Sequence, residues 1–238
     1  MSQKTEIKQI DINELTITEQ LLFTLESLRD TENPTLLEAK KNYAVMGATI
    51  ADLFNFKKAG LINDKVVILD HEKTNYNYID DLTYTLDSLR NNKLLIDVIF
   101  GYQHKGKDIE HELLDELIQK KLLVEKRNFL PIIGPKDVHV SESAFSNLAK
   151  DRVVQALSKD SKPEKELIFV LAILDAIDLL PYFIDSTDLL EEKKQRLYGL
   201  MEKEDLAKVI HKAIKNEPDP ESLAMYEVYP MYTNGGIL

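Results

Sequence analysis

Three stretches carry residue types and spacings that suggest catalytic chemistry. The first is Gly101-Tyr-Gln-His-Lys-Gly106-Lys107-Asp108, one residue short of the phosphate-cradling pattern G-x4-G-K-[ST]. That pattern needs a hydroxyl at its last position to hold magnesium, and the carboxylate of Asp108 repels phosphate instead. The segment before it, 93–100, does not read as a strand, so 101–106 is expected to be a loop between helices. The second is His111-Glu112-Leu-Leu-Asp115, one residue short of the zinc-protease H-E-x-x-H. Asp115 is a permissible zinc ligand, but no third ligand is in view. Leu113, Leu114 and Leu117 give that helix a core face, which leaves His111, Glu112 and Asp115 on a solvated one. His71, His104, His139 and His211 form no ligand spacing. The third is Asp175 with Asp178, on an otherwise apolar helix. A paired-carboxylate site is one reading; buried carboxylates that cap neighbouring helices are the commoner one. There is no G-x-S-x-G, no glycine-rich dinucleotide loop and no cysteine. The residues therefore point to no enzyme, no metal and no cofactor.

Cations gather in 103–136. Lys105, Lys107, Lys120, Lys121, Lys126, Arg127 and Lys136 stand against Asp108, Glu110, Glu112, Asp115, Glu116 and Glu125, or +1 in a chain of net charge −11. Two apolar runs, 122–124 and 129–133, flank the polar stretch 125–128, which predicts a β-hairpin turning at those four residues. Pro131 confines its second strand to an edge, and 138–140 is a further strand candidate. Lys126 and Arg127 then lie beside Phe129, Leu130 and Ile132. A cationic, apolar tip suits an acidic membrane surface, where each Lys or Arg contributes about 1 kcal/mol. The alternative is a tip that packs on its own domain or on a sister subunit.

These candidates must be positioned by helices. The stretch 165–180, KELIFVLAILDAIDLL, is apolar nearly all the way round, so other helices must wrap it. Its unbroken apolar run of eight residues, 167–174, is far below the roughly 20 that span a bilayer. Ser161 with Glu164 reads as its capping box, Pro163 as its first turn and Pro181 as its end. Thr16 with Glu19 is a second capping box, opening a helix with Leu21, Leu22, Leu25 and Leu28 on one face. A helix over 36–58 carries a small-residue stripe, Ala44, Gly47, Ala48 and Ala51, with Gly60 as its C-cap. Residues 65–69 read as a strand, and further helices are expected at 79–91, 92–100, 107–121, 141–157, 187–201 and 204–215. Asp219-Pro220 starts a last short helix, before an aromatic tail expected to pack on the body.

The 238 residues are 44% hydrophobic and 30% charged, enough for a substantial core. The expected organisation is a polar leader at 1–14 and one domain at 15–238. The fold class is mainly α: a single helical domain with a central apolar helix ringed by amphipathic helices, plus a small protruding β-hairpin. The acidic balance argues against nucleic acid. The absence of cysteine and of an apolar N-terminal run fits a cytoplasmic protein.

Several segments together resemble the Golgi phosphoprotein 3 family, in the manner of a prokaryotic-type member. Leu15-Thr16-x-x-Glu19-x-x-Leu22 is similar to that family's opening L-T-x-x-E-x-x-L. The helix from Gly47 carries an acid–leucine pair, Asp52-Leu53, and leads to Gly60-Leu61-Ile62. Glu125-Lys126-x-Asn128-Phe129-Leu130 looks like its E-K-x-N-F-L turn. Leu171-Ala172, followed by Ala176-x-Asp178-x-Leu180, is similar to its apolar helix. The resemblance spans about 15–215 and implies the same helical fold with a protruding apolar hairpin. Eukaryotic members are peripheral proteins that bind phosphatidylinositol 4-phosphate and hold glycosyltransferase tails; their hairpin touches membrane and mediates oligomer contacts. The family's lipid-binding tryptophan and first arginine fall here on Leu37 and Met46. Its next two arginines fall on Lys107 and Glu110, or on Lys105 and Asp108. The headgroup contacts are thus largely replaced, leaving Lys105, Lys107, Lys126 and Arg127 as candidates. Phe129, Leu130 and Ile132 are the membrane or oligomer tip. The expected function is a non-enzymatic, membrane-associated adaptor for a phosphoinositide-type or other acidic headgroup. The alternative is a soluble homo-oligomeric scaffold without a lipid ligand.

Overall fold

The computed structural model describes residues 12–28, 34–88, 93–126, 137–140, 143–184 and 186–216. The elements run α1 (Ile17–Glu26), α2 (Pro34–Asn55), β1 (Ala59–Ile62), β2 (Lys65–Ile68), α3 (Asn77–Ser88), β3 (Lys93–Leu94), α4 (Leu95–Gly101), α5 (Gln103–Gln119), β4 (Leu123–Lys126), β5 (Asp137–Val140), α6 (Ser143–Ala156), α7 (Lys165–Ala176), α8 (Thr187–Met201) and α9 (Asp205–Lys215). Single 3-10 turns cover Ile12–Glu14 and Leu180–Phe183. The fold is mainly helical, and its buried apolar residues form one continuous cluster.

α7 is buried along Leu167–Ala176, as its all-round apolar sequence requires. α1, α2, α8 and α9 pack around it. Its ends differ from expectation. The Ser161 box does not form: the helix starts at Lys165, with Glu164 as an N-cap that makes no side-chain cap bond. It stops at Ala176, ahead of Pro181, which opens the following 3-10 turn.

α1 is a second central helix. The Thr16–Glu19 capping box is present, with both reciprocal bonds. The expected one-sided apolar face is not what determines its packing, because every residue from Ile17 to Glu26 is buried. Its polar side chains each find a partner. Thr24 donates to the Gln20 carbonyl, the Gln20 amide to the Leu15 carbonyl, and Glu26 meets Lys41. Each of these would be costly to bury without a partner.

The small-residue stripe of α2 admits α9. Ala44, Ala48 and Ala51 are fully buried, and a Cβ on Gly47 would sit 2.7 Å from Ile214 Cδ1. Gly60 is not the cap of α2 but a residue of β1. The helix closes at Lys57, in the left-handed region at φ 59°, with Lys58 N–H donating to Leu53 O and Lys57 N–H to Phe54 O. α5 closes in the same way at Lys121 (φ 60°) and α7 at Asp178 (φ 61°).

β1, β2 and β3 form an antiparallel sheet in that order, with Ile62 opposite Lys65 and Lys65 opposite Leu94. The expected hairpin exists as a ribbon, but its register is corrected. Leu123 pairs with Val140 and Lys126 with Asp137, so Glu125 and Lys126 are strand residues and not a turn. The candidate strand at 138–140 is the partner. Arg127, Phe129, Leu130, Pro131 and Ile132 lie outside the described residues, as do the Asp219-Pro220 helix, the tail and most of the leader.

Candidate functional site

The phosphate-loop lookalike is helical. Gly101 ends α4, Tyr102 joins the helices, and 103–106 is the first turn of α5. Gly106 has a structural task there: a Cβ would sit 2.3 Å from the Asn42 carbonyl oxygen, so only glycine lets α5 lie this close to α2. Nothing in that geometry cradles a phosphate. Leu113, Leu114 and Leu117 are buried while His111 and Asp115 are exposed, as the core-face reading expects. Among the described residues no group of three His, Asp or Glu side chains is arranged to hold a metal.

The α2–α5 face is where the family resemblance puts the headgroup. Met46 is fully buried and cannot face a ligand. Lys105 is half-buried and Lys107 exposed, both early in α5. Glu110, at the second arginine position, is engaged internally. Lys41 Nζ sits 2.6 Å from Glu110 and 2.7 Å from Glu26, with the lysine and Glu26 almost wholly buried. Burial pulls the Lys41 ammonium down, but Glu26 and Glu110 reverse that and hold it above its ordinary value. This knot carries one cation and two anions. It is a net-negative clasp between α1, α2 and α5, which disfavours a phosphate at that point.

The candidate cations are not gathered by one element. Lys105 and Lys107 start α5, near Asn42. β4, which carries Lys126, springs from its other end, about 18 Å beyond Lys107 at 1.5 Å per residue. There Lys120 bonds Glu19, and Lys120 also faces Tyr76, whose ring packs against Phe56 at 5.3 Å. Phe56 leads into β1. The base of the ribbon and the three-stranded sheet therefore begin at the same end of α2.

Two buried acids organise the remaining polar interior. Asp52 is fully buried beneath the start of α1 and accepts the N–H of Ile17 (2.8 Å), the N–H of Thr18 (3.0 Å) and the Thr18 hydroxyl (2.6 Å). The Tyr78 hydroxyl lies 3.2 Å away. Burial pushes the Asp52 carboxyl up to about 6, against the pull of these bonds. Asp175 is 2% exposed and meets the C-terminal helices: His211 Nε2 at 2.8 Å, the Tyr198 hydroxyl at 3.3 Å and Lys194 Nζ at 3.6 Å. Burial opposes its ionisation, but the His211 bond and the charges of His211, Lys194 and Lys215 outweigh it, and the carboxyl lies below its usual range. Asp178 ties Lys40 of α2 to Lys215 of α9. Each aspartate points at neighbouring helices, so the pair joins helices and the paired-carboxylate reading loses its basis.

The sequence signalled Asp52 only as half of a motif. Its role is legible once Thr16 is seen as an N-cap, because a helix start buried in the core needs acceptors for its free N–H groups. Lys41 had no signal at all. No curated protein matches this sequence. The match to Golgi phosphoprotein 3 (GPP34) covers residues 19–216, from the first turn of α1 to the end of α9, and the chain therefore belongs to the Golgi phosphoprotein 3 (GPP34) family.

Proposed function

We propose that this chain is a non-enzymatic adaptor that docks on membrane surfaces bearing acidic, phosphoinositide-type headgroups. Membership of the Golgi phosphoprotein 3 family carries this reading. The ribbon supports it: its strands pair at 123–126 and 137–140, and the segment between them contains Arg127, Phe129, Leu130 and Ile132. The attachment proposed is peripheral; among the described residues no helix is long and apolar enough to cross a membrane. We also propose that residues 15–238 act as one domain, into whose core Ile12 of the 1–14 leader packs. Lys126 and Arg127 supply the attraction, and Phe129, Leu130 and Ile132 the insertion. Lys105 and Lys107 are auxiliary, since Glu110 and Asp108 lie beside them and the Lys41 clasp is closed to phosphate.

Co-sedimentation with vesicles tests this. Phosphatidylcholine vesicles containing phosphatidylserine or phosphatidylinositol 4-phosphate should pull the chain down, and phosphatidylcholine alone should not. Phe129→Ala with Leu130→Ala should weaken binding about tenfold or more, the loss of two buried apolar side chains. No pelleting with any acidic mixture, from about 0.01 M to about 1 M salt, would end the reading. If the same double variant instead splits a concentration-dependent oligomer, the ribbon serves a homo-oligomeric scaffold.

A further inference from the structure

We infer that the outer face of the β1–β2–β3 sheet is a second membrane-contact surface, distinct from the β4–β5 ribbon. The inference rests on the peripheral-membrane reading and adds a site to it. Strand alternation sends Ala59, Leu61, Val66 and Ile68 inward, where they are buried or half-buried. The other face is apolar too. Ile62 is 55% exposed, Leu94 42% and Leu69 59%, with half-buried Val67 between them. Leu69 lies over Gly60, where an added Cβ would meet its Cδ1 at 3.0 Å. An antiparallel sheet with one solvated face ordinarily alternates apolar-in and polar-out. This one keeps Lys65 as the only charged side chain among its outward strand positions.

The surface is held firm. Asn63 and Asp64 make a two-residue turn with φ of 50° and 61°, the left-handed geometry that matches strand twist. The Asp64 carbonyl accepts the Leu95 N–H at 2.9 Å and pins the tip to the start of α4. Little conformational entropy remains to be lost on docking.

Size and charge select the occupant. The exposed apolar area is roughly 300 Å², the scale of a functional patch on a monomer, whereas a stable protein interface buries about 800 Å² per partner. A second copy is therefore poorly served. Shallow insertion into a lipid headgroup layer needs only a few such side chains. Residues 57–73 carry Lys57, Lys58, Lys65 and Lys73 against Asp64, Asp70 and Glu72, or +1 in a chain of −11. Lys58 and Asp70 pair with each other, which leaves Lys57, Lys65 and Lys73 exposed and Lys93 half-buried on β3, against Asp64, Glu72 and the Asp87 that lies 3.8 Å from His71. An anionic lipid surface fits that balance.

The chain has no cysteine, so Ile62→Cys carrying an environment-sensitive NBD dye gives one defined reporter. On phosphatidylserine-containing vesicles the dye should shift to the blue and brighten several-fold, with no change on phosphatidylcholine alone. Ile62→Asp with Leu69→Asp should keep the melting temperature and lower vesicle binding about tenfold, the loss of two apolar contacts. If the chain pellets with vesicles while the dye stays silent and the double variant binds normally, this surface is overturned and the ribbon alone carries attachment. A vesicle-free blue shift that grows with protein concentration overturns it in favour of a second copy. A vesicle-free shift independent of concentration overturns it in favour of the chain's own segment lying there. No pelleting at all removes the underlying membrane reading together with this one.

Discussion

Asp52 has a fully buried carboxylate surrounded by donors. Its bonds to Ile17, Thr18 and Tyr78 do not fully replace lost solvation, so its folded pKa stands near 6 against 3.8 unfolded. A raised acid makes the folded state bind its proton more tightly. Stability from this group is greatest below pH 4, falls as pH rises through the interval 3.8 to about 6, and is flat above it. At 1.36 kcal/mol per pKa unit, the swing is about 3 kcal/mol. Asp175 and Asp178 work in the opposite sense, because both are held below their usual range. Their contribution is present above the unfolded pKa and is lost as pH falls through their folded values. Asp52→Asn isolates the first effect. Urea unfolding at pH 4 and pH 7 should show the wild type losing about 2 kcal/mol relative to the variant between the two. A difference between the two proteins that does not change with pH would refute the burial argument. Lys121 offers a second residue-scale test. It is exposed, holds φ at 60°, and sits where helices usually place glycine. Lys121→Gly should stabilise the protein by about 0.5–1 kcal/mol in thermal unfolding, and a loss of stability would show that the closure of α5 depends on the lysine side chain.

Elements were legible wherever one face of a segment decided its fate. α8 and α9 fall within a residue of expectation because their apolar positions recur at helical spacing between polar stretches. The buried α7 was equally plain from composition. What stayed hidden was closure and pairing. Lys57, Lys121 and Asp178 end their helices in a conformation that residue type does not announce. The strand partner of β4 was masked by the more apolar 129–133, since hydrophobic runs show that a strand is favoured but not which register wins. α1 looked amphipathic because Glu19, Gln20 and Glu26 are polar; besides local bonds, their distant partners Lys120, Arg152 and Lys41 offset the cost of burial. Of the candidate site, the cations were legible as a local excess of charge, while the engagement of Glu110 by Lys41 was not. The α2–α5 contact gives a test at this scale. Gly106→Ala places a methyl against the Asn42 carbonyl, and backbone cannot rotate away as a side chain would. Helix propensity favours alanine by about 1 kcal/mol, but overpacking costs about 1–3 kcal/mol. The net should be a loss of up to about 2 kcal/mol in denaturant unfolding, and a more stable variant would show that the helices separate freely.

At the scale of the whole molecule, the charges that attract and the charges that repel are unevenly distributed. The chain carries −11 overall, yet 103–136 and 57–73 each carry +1. An anionic membrane senses different portions of that distribution at different ionic strengths. At about 0.01 M salt the Debye length is roughly 30 Å, the size of the domain, and the full negative charge opposes approach. Near 0.15 M it shrinks to about 8 Å, so only the contacting face is felt and its lysines act against the lipid phosphates. Near 1 M, at about 3 Å, that attraction is screened as well, and only apolar insertion remains. Binding to phosphatidylserine vesicles should therefore pass through a maximum at intermediate salt, unlike the steady decline of a uniformly basic protein. Removing local cations with Lys126→Gln and Lys65→Gln should lower the maximum. Neutralising exposed acids on α8, which packs on α7 and α9, for example Glu191→Gln with Glu192→Gln, should raise only the low-salt limb. A curve that falls continuously from the lowest salt upward would mean that the body's acidity does not oppose docking, and that the lysines of 57–73 and 103–136 do not act locally.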